Sequence, residues 1–125
     1  MANPNIAGAS TTIYGVTAYN TPGTTAATVL LSNAASSGTV MRINQIVAAN
    51  VNGTSAVDVT VAINSVAAGG GTAYPIASTV SVPADASLIV TDKTTAFYLM
   101  ENSSITVTSG TSSGIAYTIS YELIA

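Results

Sequence analysis

Histidine, cysteine and tryptophan are all absent from this chain, and charged side chains make up only 6% of its 125 residues. Without cysteine the fold rests on no disulfide and holds no thiolate metal site, so redox compartment has no signature here. Without histidine the commonest general base and the commonest zinc or copper ligand are both missing. An average globular protein carries roughly 25% charged residues. Here they can be named in full: Arg42, Lys93, Asp58, Asp85, Asp92, Glu101 and Glu122, for a formal net charge of −3. Non-specific affinity for DNA or RNA comes from Lys and Arg displacing counterions, and two such residues leave no footprint for it. Nucleic acid is therefore not an expected partner. Nor is a membrane, because no polybasic segment exists to hold an anionic surface.

Long apolar runs are missing too. The mean hydropathy of +0.52 is high, but a spanning helix needs about 20 consecutive apolar residues, and here the apolar residues alternate with Ser and Thr. The opening Met-Ala-Asn-Pro-Asn has no basic region and leads into no apolar core, so a secretory signal is not expected and synthesis in the cytosol is. The length suits one domain with a single sandwich-type core.

What is present is period two. Val57, Val59, Val61 and Ile63 alternate with Asp58, Thr60, Ala62 and Asn64, and Ile115, Tyr117, Ile119, Tyr121 and Leu123 alternate with Ala116, Thr118, Ser120 and Glu122. Each run predicts a strand with one buried and one wet face. Weaker runs over 12–19, 25–32, 40–51, 73–82, 87–91, 96–100 and 104–109 bring the expected total to nine strands. The alternation over 40–51 stumbles at Asn44 and Gln45, which predicts a bulge. Pro75 and Pro83 cannot donate to a ladder and mark edge positions or strand ends. Asn52-Gly53 between two β-type runs predicts a type I′ hairpin. The stretch 24–31 is the one place where a short helical turn competes with a strand.

Short strands punctuated every 8 to 12 residues or so predict an antiparallel all-β sandwich over residues 11–125. A jelly-roll-like form is favoured over an immunoglobulin-like one, which would show a Cys, Trp, Cys spacing. Residues 1–10 are expected to form an extended arm lying on a neighbour, since an Asn- and Pro-rich chain end frays unless held.

No catalytic constellation emerges. Ser and Thr are abundant, but a nucleophile needs an adjacent base; the one lysine, Lys93, sits in a polar turn with Asp92 and Thr94. The five acids are scattered, with Asp85 and Asp92 at opposite ends of the 87–91 strand. They read as solvated carboxylates in preference to a glycosidase pair or a calcium site, so no metal or cofactor is expected. Gly69-Gly70-Gly71 is followed by no Gly-Lys-Ser/Thr and is read as a flexible loop, not a phosphate loop. Asn52-Gly53-Thr54 and Asn102-Ser103-Ser104 match the glycosylation sequon but are read as turn chemistry. Among the six tyrosines, Tyr117 and Tyr121 keep step with the apolar face of their strand and belong to the core or an interface. Tyr14 and Tyr19 are the better candidates for a contact surface, together with Asn3, Pro4 and Ile6 of the arm.

The informative anomaly is the polar face itself. Native sheets guard their edges with charge, lysine above all, against pairing with other chains. This chain offers Ser and Thr instead, so its edges are expected to be covered by neighbouring subunits or by its own terminus.

Four segments carry a resemblance: Leu-Leu-Ser-Asn-Ala-Ala-Ser-Ser-Gly (30–38), Asn-Gln-Ile-Val-Ala-Ala-Asn-Val-Asn-Gly-Thr (44–54), Val-Ser-Val-Pro-Ala-Asp-Ala-Ser-Leu-Ile-Val (80–90) and Ile-Ser-Tyr-Glu-Leu-Ile (119–124). The stretch from Leu30 to Ala125 resembles small virion proteins of tailed phages, notably those infecting marine cyanobacteria. The resemblance implies a β-sandwich built into the particle, a head decoration or cement protein on the major capsid lattice. It implies as partners the major capsid protein or other virion proteins and the chain's own copies. Members of that group carry more Lys, Asp and Glu in their turns, where this chain has Ser and Thr, and no functional residue transfers by position. The rival expectation is a carbohydrate- or receptor-binding module of a tail or fibre, with Tyr14 or Tyr74 on the sugar.

Overall fold

The computed structural model describes residue 8 and residues 12–125. Asn3, Pro4, Ile6 and the rest of the expected arm, Gly8 apart, lie outside the described residues. The nine strands are β1 Ile13–Asn20, β2 Thr28–Asn33, β3 Val40–Asn50, β4 Val57–Asn64, β5 Ala73–Val82, β6 Ser87–Thr91, β7 Phe97–Leu99, β8 Ser103–Ser109 and β9 Ile115–Ile124. They form two antiparallel sheets packed face to face, one in the order β1-β9-β3-β6 with β7 also on β3, the other in the order β2-β8-β4-β5. The protein is an all-β sandwich. β2 begins at Thr28, and no helix forms over 24–31.

The core is the inner face of both sheets. Ile43, Ile46, Tyr117 and Ile119 from the first meet Val59, Val61, Ile105 and Val107 from the second, all fully buried. Each large aliphatic side chain so buried contributes roughly 1.5 to 3 kcal/mol. The expected bulge is present: the β3–β9 register shifts between Ile43 and Gln45, leaving Asn44 unpaired. Because side chains alternate, that extra residue lets Ile43 and Ile46 both point inward. Pro75 lies on β5, an edge strand, and Pro83 follows its last residue.

The Asn52-Gly53 hairpin does not form. β3 and β4 belong to different sheets, so the segment between them is a crossover, and neither residue takes positive φ. Asn52 Oδ1 instead accepts from the Thr54 and Ser55 amides and the Thr54 hydroxyl. Side-chain capping has won over the I′ backbone. Among the described residues β4 and β5 form the one hairpin joining consecutive strands within a sheet. Elsewhere, apart from β6 to β7, successive strands switch sheets.

Gly69-Gly70-Gly71 also departs from expectation, since it is bonded down onto the outer face of the second sheet. The Ala67, Ala68 and Gly69 amides donate to Asn102 Oδ1, Ser32 Oγ and Ser104 Oγ at 3.2, 2.9 and 2.8 Å, and Ser104 Oγ donates to the Val66 carbonyl at 2.9 Å. Gly69, at φ +79°, sits so close that an added Cβ would lie 3.2 Å from a Val29 methyl and 3.3 Å from a Thr106 methyl. Under this flap the outward-pointing Ala62, Asn64, Ser104 and Thr106 are buried. They would otherwise be the wet side of β4 and β8.

Two buried amides hold the crossovers. Asn33, the last residue of β2, donates to the Thr39 and Leu99 carbonyls and accepts from the Ser37 and Thr39 hydroxyls. Asn50, the last of β3, donates to the Ser55 and Val82 carbonyls at 3.0 and 2.8 Å and accepts from the Asn52 amide at 2.8 Å. Replacing Asn50 by Ala strands these buried backbone groups, each worth about 1 to 3 kcal/mol when unpaired. Asn50→Ala is expected to lose about 2 to 4 kcal/mol in urea unfolding, while Asn52→Ala, which removes an exposed cap, stays within about 1 kcal/mol.

Tyr117 is buried as its alternation requires, its hydroxyl 2.8 Å from Ser109 Oγ and donating to the Thr108 carbonyl at 3.2 Å. Burial pushes its phenol above the ordinary 10.0, and the Ser109 bond opposes this. The neutral form is thus favoured by folding, so its contribution is complete below pH 10 and is lost as pH rises through the folded value. Tyr117→Phe is expected to cost about 1 to 3 kcal/mol at neutral pH and to flatten the alkaline fall in stability expected of the parent chain.

Candidate functional site

With the second sheet's outer face partly roofed by the flap, the open face is that of the first sheet. Register arranges its outward residues in rows. Tyr19, Thr118, Val47 and Ile89 lie side by side across β1, β9, β3 and β6, and Tyr19 and Ile89 are 80% and 59% exposed. The next row is Thr17, Ser120 and Gln45, with Thr17 Oγ1 3.3 Å from Ser120 Oγ. Gly15, Glu122, Arg42 and Tyr98 follow. Arg42 and Glu122 approach to 3.9 Å across neighbouring strands, a half-exposed pair worth little in stability.

A cleft of about 430 Å³ opens beside the middle row, lined by Asn44 and Gln45 of the bulge, Ser120 of β9, and Asp92, Lys93 and Thr94 from the turn after β6. Asn44 Oδ1 is buried and accepts no hydrogen bond from the described residues. The turn is fixed by Asp92, whose Oδ1 accepts from Thr94 Oγ1 at 2.5 Å and the Thr94 amide at 2.9 Å; Thr95 Oγ1 accepts in return from the Asp92 amide. Lys93 stands exposed at the rim. Amide, hydroxyl, carboxylate and ammonium groups together can exchange hydrogen bonds with a neutral polar ligand, and the arrangement contains no paired nucleophile and base. The bulge was legible in the sequence, but the cleft was not, because it takes Asp92–Thr94 from 47 positions beyond Gln45, a pairing that no local pattern encodes.

Tyr14 and Tyr19 both lie on β1, 56% and 80% exposed. β1 is an edge strand, and so are β2, β5, β6 and β7. None of these five strands carries a charged residue. Arg42, Glu122 and Asp58 sit on the interior strands β3, β9 and β4, and Asp85, Asp92, Lys93 and Glu101 sit in turns. Asp85 and Asp92 flank β6 at its two ends. Among the described residues no three carboxylates gather in a group able to hold a metal ion, and no helix is long and apolar enough to cross a membrane. Asn52 Oδ1 accepts from the nearby Thr54 amide, whereas Asn102 Oδ1 accepts from the Ala67 amide of the flap, 35 positions away.

No protein-family model, curated protein or solved structure matches the chain.

The Thr94 hydroxyl, then the Thr94 amide, hold the Asp92 carboxyl below its ordinary 3.8. A carboxylate lowered in this way stabilises the fold above the ordinary value and loses that contribution as pH falls through the folded one. The Asp92 carboxyl carbon is expected to titrate below 3.8 by NMR, and Thr94→Ala to move its midpoint back up.

Proposed function

We propose that this protein is a non-enzymatic structural component of a phage virion, a decoration or cement protein that stabilises the head by packing against the major capsid lattice and its own copies. The observation that carries the reading is the distribution of charge: every edge-lying strand is bare of it, on a sandwich whose β1 and first-sheet face are left open by the described residues. Edges of that kind are a liability for a free monomer and an asset for a subunit, because neighbouring protein covers them. Added buried area is all that such a role requires, and no histidine, cysteine or activated lysine is needed for it.

The pairing order supports the jelly-roll form of the sandwich. β4 pairs with β5, β3 with β6, β2 with β8 and β1 with β9. An early half thus folds against a late half in reverse order, innermost pair first. An immunoglobulin-like sandwich orders its strands differently. Jelly rolls occur in capsid proteins and lectins, so the form is compatible with shell assembly and does not by itself choose a function.

A second reading, a carbohydrate-binding module of a tail or fibre, draws on the cleft: a buried acceptor on Asn44 beside Gln45, Asp92 and Lys93 is the kind of polar set that sugar hydroxyls satisfy. Proteomics and a reconstruction of purified particles of the encoding phage separate the two. Shell density for this chain in a fixed ratio to the capsid protein is expected. Its absence from particles rules out both sites, and density confined to tail tips favours the sugar reading.

A further inference from the structure

We infer that β1 is a self-pairing edge, through which two copies of this chain join their first sheets into one continuous antiparallel sheet. The inference rests on the assembly reading and names the partner of one of its margins.

The four edges are not equal. β5 contains Pro75 and two register shifts against β4, and Thr79 within it takes a φ of +50°. β2 has a register shift between Val29 and Leu31. The remaining edge is broken into β6 and β7 by the turn at Lys93–Thr95. Bulges, proline and short strands are the devices that blunt an edge. β1 has none of them: eight residues pair with β9 in an unbroken register, with no proline and no charge.

The hydrogen-bond phase of β1 follows from its first pair. Thr12 and Ala125 exchange both amide-to-carbonyl bonds at 2.9 Å. In an antiparallel ladder bonded and non-bonded pairs alternate, so Tyr14, Val16, Ala18 and Asn20 bond to β9. Ile13, Gly15, Thr17 and Tyr19 then turn their N–H and C=O groups to the open margin. Among the described residues no strand other than β9 pairs with β1.

A two-fold axis pairing β1 with a second β1 has one register that engages all four outward residues: Ile13 with the partner's Tyr19, Gly15 with the partner's Thr17, and the reciprocal pairs. Val16 then faces the partner's Val16 across the axis, and Tyr14 faces the partner's Ala18. Each tyrosine meets a smaller side chain, and the Tyr19–Ile13 contact is an aromatic and β-branched pair of the favourable kind. No like charges oppose, because β1 has no charge and the nearby Arg42 and Glu122 approach one another. The same pairing extends the Tyr19 row of the open face into the second copy. An eight-residue edge is small beside the roughly 1,200 to 2,000 Å² of a tight complex, so association of the isolated chain is weak and becomes strong only where a lattice holds the copies together.

The chain has no cysteine, so a single introduced one reports the register without interference. Val16→Cys is expected to form a disulfide-linked dimer under mild oxidation, because facing non-bonded residues lie about 4.5 Å apart between Cα atoms, within disulfide range. Tyr14→Cys, one pair removed from the axis, is the control and should link at least tenfold more slowly. On the unmodified full chain, amide exchange at Gly15, Thr17 and Tyr19 is expected to slow as protein concentration rises, and Thr17→Lys to abolish that slowing while leaving the β9 amides protected. Equal cross-linking of the two cysteine variants overturns the proposal. So does concentration-independent protection of these amides, which would mean that the chain's own first residues cover β1, and so does protection that arises only with a different added protein. Particle proteomics is unaffected by any of these results, so failure of the pairing and failure of the virion reading are told apart.

Discussion

A sandwich whose strands keep switching sheets must satisfy the backbone groups stranded wherever the chain leaves a ladder, and here buried neutral amides do so. Asn33 and Asn50 each end a strand, lie almost wholly out of water, and bond to carbonyls from two separate segments. A buried C=O or N–H left without a partner costs about as much as a large part of a small domain's net stability. Charged side chains in those places would bring a desolvation penalty several times larger. Low charge and high Asn, Ser and Thr content are therefore partly a property of the interior. The flap over the second sheet repeats the solution, with Ser32, Asn102 and Ser104 receiving the amides of its loop.

This internal use of hydroxyls and amides divides the molecule into unlike sides. The second sheet bonds its outward Asn64 to Thr106 across β4 and β8 and gives Ser104 to its own flap. The first sheet keeps Thr17, Thr118, Gln45, Tyr19 and Ile89 facing outward. Its charges are confined to central strands and turns, so that the margins are governed by shape and backbone hydrogen bonding, which favour sheet-to-sheet contact over long-range steering.

Period-two alternation made the strands of this fold legible because it is local: Val57, Val59 and Val61 announce their buried face without reference to anything distant. The bulge at Asn44 was visible for the same reason. Asn52-Gly53 misled because its turn preference is conditional on the two flanking strands sharing a sheet, and nothing nearby says whether they do. Gly69–Gly71 misled likewise, since what pins the loop is Ser32, Asn102 and Ser104, far away in sequence. A further signal is local: β1, β2, β3 and β4 each end in asparagine, at Asn20, Asn33, Asn50 and Asn64. Such a recurrence after apolar runs points to amides that tie off strand ends. Tyr14 and Tyr19 stand exposed on β1, whereas the cleft, which joins a bulge to a remote turn, needed the tertiary arrangement.

The nested pairing also sets the order in which the molecule is able to assemble. β9 is the inner partner of both β1 and β3, yet it is made last of the nine described strands, and Ile13 has to wait for Ile124. Until then β1 has no ladder at all, and β3 can pair only with the fragments β6 and β7. Contacts so distant along the chain are slow to form and leave strand margins bare in the meantime. During synthesis only the local β4–β5 hairpin has a head start, because the second sheet waits for β8 and the flap waits for Asn102 and Ser104. The first sheet snaps shut late, and the chain's vulnerability to sticking to its own kind is concentrated in that interval.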